Sequence, residues 1–170
     1  LSFTADEIWE ALPGDRKSSV FAQTWHRFPE IAKTATLDWA RLLAVRGAVK
    51  KVLEDLRVKG AIGSGLDAQV RVFADGPLLD ALKMPGEELR FWFITSDVAV
   101  SPRSQKPAHS IEITLENGES MAIAAVASAH AKCERCWHHR ADVGTTASHP
   151  LICGRCVQNI DGRDEHRVVQ

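Results

Sequence analysis

Every cysteine of the chain lies in "KCERCWHHRADVGTTASHPLICGRCVQN", as Cys133, Cys136, Cys153 and Cys156 in a C-x2-C-x16-C-x2-C pattern. Two residues between thiolates let one tight turn aim both sulfurs at a common point. A second such turn completes a tetrahedron with metal–sulfur distances of about 2.3 Å. The spacing falls inside the window typical of four-cysteine zinc sites. It forces the ends of the intervening loop together, so the fold here must close around the ion. Four protein ligands fill a tetrahedral shell and leave no position for an activated water, which makes the metal structural. Spacing alone does not separate zinc from a four-thiolate iron centre. A redox pair would need a thioredoxin-like setting around one C-x2-C and would leave the other unexplained.

The remaining sequence bounds the setting of this site. At 170 residues, the chain is long enough for a sizeable core away from the cysteines. Its 45% apolar and 25% charged residues and net charge of -1 describe a globular protein without a global basic excess. A nucleic-acid surface would therefore be local. No apolar run reaches about 18 residues, so no membrane association is expected. The N-terminus lacks a signal-peptide pattern, and the expected location is the cytoplasm, where clustered cysteines hold metal more readily than they form disulfides. The chain opens at Leu1 without methionine, and the expectation is a piece of a longer polypeptide.

Periodicity predicts an α+β fold in three parts: helical residues 1–60, a small α+β unit with an antiparallel hairpin over 61–130, and a zinc-ribbon-like module over 131–170. "TADEIWEALPG" reads as a helix with a capping box of Thr4 and Glu7, a stripe of Ile8, Trp9 and Leu12, and a Pro13-Gly14 stop. "SSVFAQTWHRFPE" alternates like an extended crossing. From Leu37 to Val58, Leu42, Val45, Val49, Val52, Leu53 and Leu56 recur at helical spacing. On the same helix Arg46, Lys50 and Arg57 fall together with Glu54 beside them. They read as a solvated face with Lys50–Glu54 support, or as a stripe facing phosphates.

"GAIGSG" stops that helix and links onward, because its glycines lack the spacing and setting of a dinucleotide loop. "DAQVRVFAD" alternates like a strand, "GPLLDALK" starts a helix at Pro77, and "GEELRFWFITSDVAVS" runs from a helical turn into a buried strand. "SPRSQKPAHS" reads as a flexible loop. In "SIEITLENGESMAIAAVA", Ile111, Ile113 and Leu115 alternate up to Asn117-Gly118, the signature of a hairpin with a type I′ turn.

Around the thiolates stand Lys132, Arg135, Arg140, Arg155 and Arg163. Four thiolates on one divalent ion leave a net negative charge, and these cations either soften it or, with Trp137, form a surface for stacking bases and binding phosphates. Trp137 fits equally as a hydrophobic lid over the knuckle. His138, His139 and His149 are expected outside the ligand set, since four thiolates suffice. A segment this short has too little core to fold unaided, so metal binding and folding of residues 131–170 should be coupled.

"CERCWHH" with "DVG", then "HPLICGRCVQNI", resembles the C-terminal zinc module of the bacterial isoleucyl-tRNA synthetases, which are class I enzymes. "LSFTADEIWEALPG" resembles the end of their anticodon-binding helical domain, and "DWARLLAVRGAVKKVLEDLRVKGAIGSGLDAQV" their linking helix. The resemblance implies a ligase, monomeric as a parent enzyme, that uses isoleucine and ATP to charge isoleucine tRNA. The family's "HIGH" and "KMSKS" signatures are absent from this chain. ATP would accordingly bind only elsewhere in the parent, and no catalytic residue is expected here. The resemblance implies one structural zinc ion on Cys133, Cys136, Cys153 and Cys156 and a role in holding the anticodon end of the tRNA. From position and chemistry, Arg135, Trp137, His139, Arg140 and Arg155 are the candidate RNA contacts. A finger of this type also occurs in the formamidopyrimidine-DNA glycosylases, but those begin with proline and glutamate where this chain has Leu1-Ser2. A free-standing nucleic-acid-binding module is a third reading.

Overall fold

Twenty residues of amphipathic helix, Trp39–Val58 (α2), carry the main apolar stripe: Leu42, Val45, Val49, Val52 and Leu53 are all buried. Each such side chain contributes roughly 1.5–3 kcal/mol relative to exposure. Asp38 caps the start by accepting the Arg41 amide at 3.1 Å, and Arg41 turns its guanidinium onto Glu119 at 2.9 Å. At the other end the Ala61 amide reaches back to the Leu56 carbonyl at 3.0 Å, with Gly60 at φ 71° providing the left-handed turn. The structure, a computed structural model, describes residues 2–14, 18–29 and 37–162. Arg163 lies outside them. The chain divides into two compact units, Leu1–Lys33 and Thr34–Gln170.

The larger unit is built on a four-stranded sheet of order β2-β1-β4-β3. Its strands are β1 (Ala68–Ala74), β2 (Asp97–Pro102), β3 (Ile111–Thr114) and β4 (Ser120–Ala127). β1 runs parallel to β2, with Val70 opposite Val98, and antiparallel to β4, with Val72 opposite Ile123. The crossover from β1 to β2 holds α3 (Gly76–Lys83) and α4 (Leu89–Phe93). Period-two alternation sends Ala68, Val70, Val72 and Ala74 to one face, where Met121 and Ile123 join them. α2, α3 and α4 cover that face with Val45, Val49, Leu78, Leu82 and Phe93. α2 therefore shares one hydrophobic core with the sheet, and buried Ile62 in the segment after it belongs to that core as well. The opposite face holds a smaller cluster of Phe73, Ala122 and Ala124.

The architecture is α+β, with five α-helices and one four-stranded sheet among the described residues. Several local expectations are corrected. Helix α1 (Ser2–Ala11) already includes Thr4, so Thr4 cannot be its cap; Asp6 instead accepts from the Ser19 hydroxyl at 2.6 Å and the Val20 amide. The expected crossing at 18–30 is a short 3₁₀ turn, Val20–Ala22, followed by irregular chain to Pro29, because alternation makes a strand only where a neighbour can pair with it. Glu30 of that segment falls outside the described residues. Glu54 pairs with Arg57 through two bonds, of 2.8 and 2.6 Å, rather than with Lys50, since the guanidinium fork matches both carboxylate oxygens.

The polar segment after β2 is held, not loose. Arg103 and Lys106 both bind Glu112, and the Arg103 amide donates to Asp75 at 3.1 Å. β2 itself is an edge strand and only half-buried. The hairpin forms as expected, but Asn117 has no positive φ. Gly118 alone does, at 85°, with its amide on the Leu115 carbonyl at 2.9 Å. This is a three-residue loop, a type I turn followed by a left-handed glycine, in place of the I′ turn.

In the smaller unit, Trp9 donates its indole N–H to the Ser18 carbonyl at 2.8 Å. None of the α1 side chains described is buried, and Phe3, Trp25 and Phe28 are largely exposed.

Candidate metal centre

Residues 132–160 turn twice around the four thiols. Lys132 pairs with His139 in an isolated antiparallel bridge, so the first knuckle is a closed hairpin. Within it the Trp137 amide donates to the Cys133 carbonyl at 2.8 Å and the Cys133 amide to the His138 carbonyl at 2.9 Å. Trp137 has φ 67°, a conformation a non-glycine residue rarely takes. In the second knuckle Cys153 immediately precedes α5 (Gly154–Ile160), and Cys156 sits in its first turn.

The geometry fits a tetrahedral metal. The sulfurs of Cys133 and Cys156 are 3.7 Å apart, as are those of Cys136 and Cys153, and all four lie within 4.8 Å of one another. Four ligands about 2.3 Å from one ion would stand about 3.8 Å from each other, whereas a disulfide would need about 2.05 Å. Cys133, Cys153 and Cys156 are buried and Cys136 is half-buried. Burial raises the Cys133 thiol, but the amides of Cys136, Cys153 and Arg135 outweigh it and bring the thiol down to about 6. Burial pushes the thiols of Cys136 and Cys153 up, which is the cost that a bound cation offsets. When bound, a metal here supplies cross-linking of the two knuckles and nothing else, because the four sulfurs close its shell.

Gly154 earns its place at the second knuckle. A Cβ there would stand 2.9 Å from Asp142 Oδ2, the atom that accepts the Gly154 amide at 3.0 Å. The missing side chain thus admits Asp142.

The candidate surface residues fall into different settings. Arg135 lays Nη1 3.7 Å from the Cys156 sulfur and so faces the thiolate cluster. Trp137 is 61% exposed, with the Lys132 ammonium 5.6 Å from its ring centre. Arg155 stacks its guanidinium 4.9 Å over Phe91, and Arg140 stands 3.8 Å from Asp142. His139 is turned inward: Nδ1 meets the His130 carbonyl at 2.8 Å, Nε2 lies 3.3 Å from Asp67, and its amide donates to the hydroxyl of buried Ser96 at 2.6 Å. Ser96 donates in turn to the Leu66 carbonyl. These bonds seat the finger on the end of the sheet. His138 packs edge-on against Phe91 at 5.5 Å with Nδ1 3.1 Å from the Cys136 carbonyl, so neither of these histidines joins the ligand cluster. Burial lowers the His138 pKa, with Arg90, Arg155 and Arg140 nearby adding to the effect.

Two features were hidden from sequence reasoning. A groove of about 380 Å³ is lined by Trp137 together with Lys50 and Arg57 of α2, and Ile94 borders it. Arg90 and Phe91 stand beside the finger, where the basic–aromatic run "RFW" was the available signal.

The family described as "Zinc finger found in FPG and IleRS" matches residues 132–159, the segment that carries the four sulfurs. Three curated relatives, each named "Isoleucine--tRNA ligase", are similar along nearly all of this chain. That of Alkalilimnicola ehrlichii is 46% identical over 98% of the chain. Those of Pseudomonas entomophila and Legionella pneumophila are 47% identical over 98% and 99% of it. The chain spans about 18% of the length of these relatives. Almost end to end, then, this chain is homologous to one segment of the bacterial isoleucine--tRNA ligases, a segment that here joins an α+β unit to a four-cysteine zinc finger.

Proposed function

We propose that this chain is the tRNA-binding C-terminal region of an isoleucine--tRNA ligase and grips the anticodon end of isoleucine tRNA. The observation that carries this reading is the similarity over 98% of the chain to proteins of that name. A glycosylase finger alone would account for residues 132–159 and leave the rest unexplained. The role is positioning: binding energy at one end of a large substrate holds the other end in a distant site. ATP and isoleucine belong to the parent's other domains, and this region performs no bond chemistry. One structural zinc ion on Cys133, Cys136, Cys153 and Cys156 shapes the surface.

Among the candidate contacts, Trp137 offers a stacking face, while Arg140 and Arg155 offer guanidinium groups for phosphates. Arg135 and His139 support that surface from behind, through the Cys156 sulfur and the Ser96 hydroxyl respectively. Division into helical, junction and zinc-binding tasks at about residues 60 and 130 is part of the same reading. So are a monomeric parent and a cytoplasmic setting. No helix among the described residues is long and apolar enough to cross a membrane.

The test is titration of the zinc-loaded chain with isoleucine tRNA and with a noncognate tRNA at fixed salt, because nonspecific binding varies steeply with salt. Preference for isoleucine tRNA, with affinity weakened in Trp137→Ala by about 1–3 kcal/mol, is the expected result. Equal binding of both tRNAs at that salt concentration would reject it.

A further inference from the structure

Ile94 ends α4 in the left-handed conformation, at φ 56° and ψ 55°. The Thr95 amide bonds the Arg90 carbonyl at 3.0 Å and the Ile94 amide the Phe91 carbonyl at 3.3 Å, the pattern of a helix end that ordinarily carries glycine. A β-branched residue there is strained. Packing does not repay the strain in full, because Ile94 remains 52% exposed. Gly65 behind it leaves room only for bare backbone, since a Cβ there would stand 2.7 Å from the Ile94 carbonyl oxygen. The chain therefore holds an apolar side chain out into solvent at a position where glycine would be more relaxed. Strain of this kind concentrates at ligand contacts.

Ile94 stands between two hollows on the same side of α2. One is the groove of Trp137, Lys50 and Arg57. The other, of about 240 Å³, is lined by Trp39, Trp92 and Arg46. Trp39 stacks on Trp92, with ring centres 4.8 Å apart and planes 13° apart, and is 56% exposed. Arg46 is anchored by Nε on the Trp92 carbonyl at 2.8 Å. Trp39, Arg46, Lys50 and Arg57 recur at seven- and four-residue steps and so share one helix face. From Trp39 to Lys50 is about 16 Å along the axis. Arg57 is held by Glu54 through two bonds, so the path offers Trp39 and Trp137 as aromatic faces with Arg46 and Lys50 between them as cations, a set that suits unpaired nucleotides, with bases stacking and phosphates neutralised.

We infer that an unpaired stretch of RNA runs along this face of α2, crossing Ile94 as a ridge between the Trp137 groove and the Trp39–Trp92 pocket. This rests on the RNA-binding reading above and extends it to residues outside the finger. Ile94 separates successive bases, Trp39 stacks on one of them, and Lys50 faces the phosphate between.

The test uses the zinc-loaded 170-residue chain with a labelled stem-loop RNA bearing an isoleucine anticodon, read by fluorescence anisotropy at several salt concentrations. Ile94→Gly should weaken binding about fivefold, the worth of covering the exposed half of the side chain. Its melting temperature should not fall, because relief of strain offsets the lost packing. Trp39→Ala should weaken binding at least fivefold. Lys50→Ala should lower the salt slope by about 1. A blunt RNA duplex should bind alike to parent and variants.

If Trp137→Ala weakens binding while Ile94→Gly and Trp39→Ala leave it unchanged, the path along α2 is overturned and RNA binding at the finger stands. If Trp137→Ala also binds as the parent does, both readings fall. A fall of several degrees in the melting temperature of Ile94→Gly would assign the side chain to packing and overturn the inference.

Discussion

The amide of His139 donates to the hydroxyl of Ser96 at 2.6 Å, across 43 residues of sequence and from the finger into the end of the sheet. Ser96 is fully buried, and its hydroxyl also serves the Leu66 carbonyl. Ser96→Ala removes both partners at once and leaves a buried donor and acceptor unsatisfied. Loss of about 1–3 kcal/mol in denaturant unfolding is expected. Unchanged stability would mean that the finger is seated by something other than this bond.

Asp67 supports the same junction. It accepts the amides of Gly63 at 2.9 Å and Ser64 at 2.8 Å and faces His139. Burial raises its pKa, but those two amides and His139 together bring it below the usual 3.8. A depressed folded-state value gives stability that is present above the unfolded pKa and is lost as pH falls through the folded one. The stability gap between the parent chain and Asp67→Asn should therefore be constant near neutrality and close below about pH 4. Melting curves from pH 7 to 3 would display it, and a gap that widens in acid would contradict it.

Gly154→Ala should loosen the second knuckle. Its Cβ takes the space of Asp142 Oδ2, which must swing away and abandon the Gly154 amide. The cost is about 1 kcal/mol, read as weaker zinc retention against a competing chelator. In an Asp142→Ala background the same change should cost much less. Additive losses would show that the two residues act independently.

Arg135→Met keeps the stem and removes the guanidinium beside the Cys156 sulfur. Zinc affinity should drop about 10–100-fold, as for other groups that support metal ligands. An unaltered affinity would detach Arg135 from the thiolate cluster and leave it to the surface.

Stripping the metal should unfold the finger alone. Amide protection ought to vanish over residues 131–162 and persist in β1 and β4, whose side chains belong to a separate core. Retained protection in a metal-free finger would refute metal-coupled folding.

What sequence conveyed was whatever is written in short-range period or fixed spacing. The α2 stripe, the β1 alternation, the hairpin and the four-cysteine pattern each encode their own partner geometry locally. Thr4 misled because a cap depends on where the helix starts, and "SSVFAQTW" because alternation does not supply a neighbouring strand. Asn117 fits two kinds of hairpin loop, and only the backbone angles distinguish them. Nothing local could announce that Ser96 meets His139, or that Lys50 and Trp137, 87 positions apart, line one groove. Such pairs follow from the tertiary fold, which places the starts of β1 and β2 beside the finger. Ile94 was invisible for another reason: strain is a property of backbone angles, and its sequence reads as an ordinary apolar run.

The seating of the finger through Ser96 and Asp67 has a consequence for how this region can be divided. The sheet and its helices own a complete apolar core and do not need the finger, but the finger finds its orientation only against their edge. Dependence therefore runs one way. A finger cut free and loaded with zinc would keep its ligands yet lose its bearing relative to α2, and with it the groove that Lys50 and Arg57 line together with Trp137. The smallest transplantable piece that still presents this surface is not the zinc finger but the whole of residues 37–162.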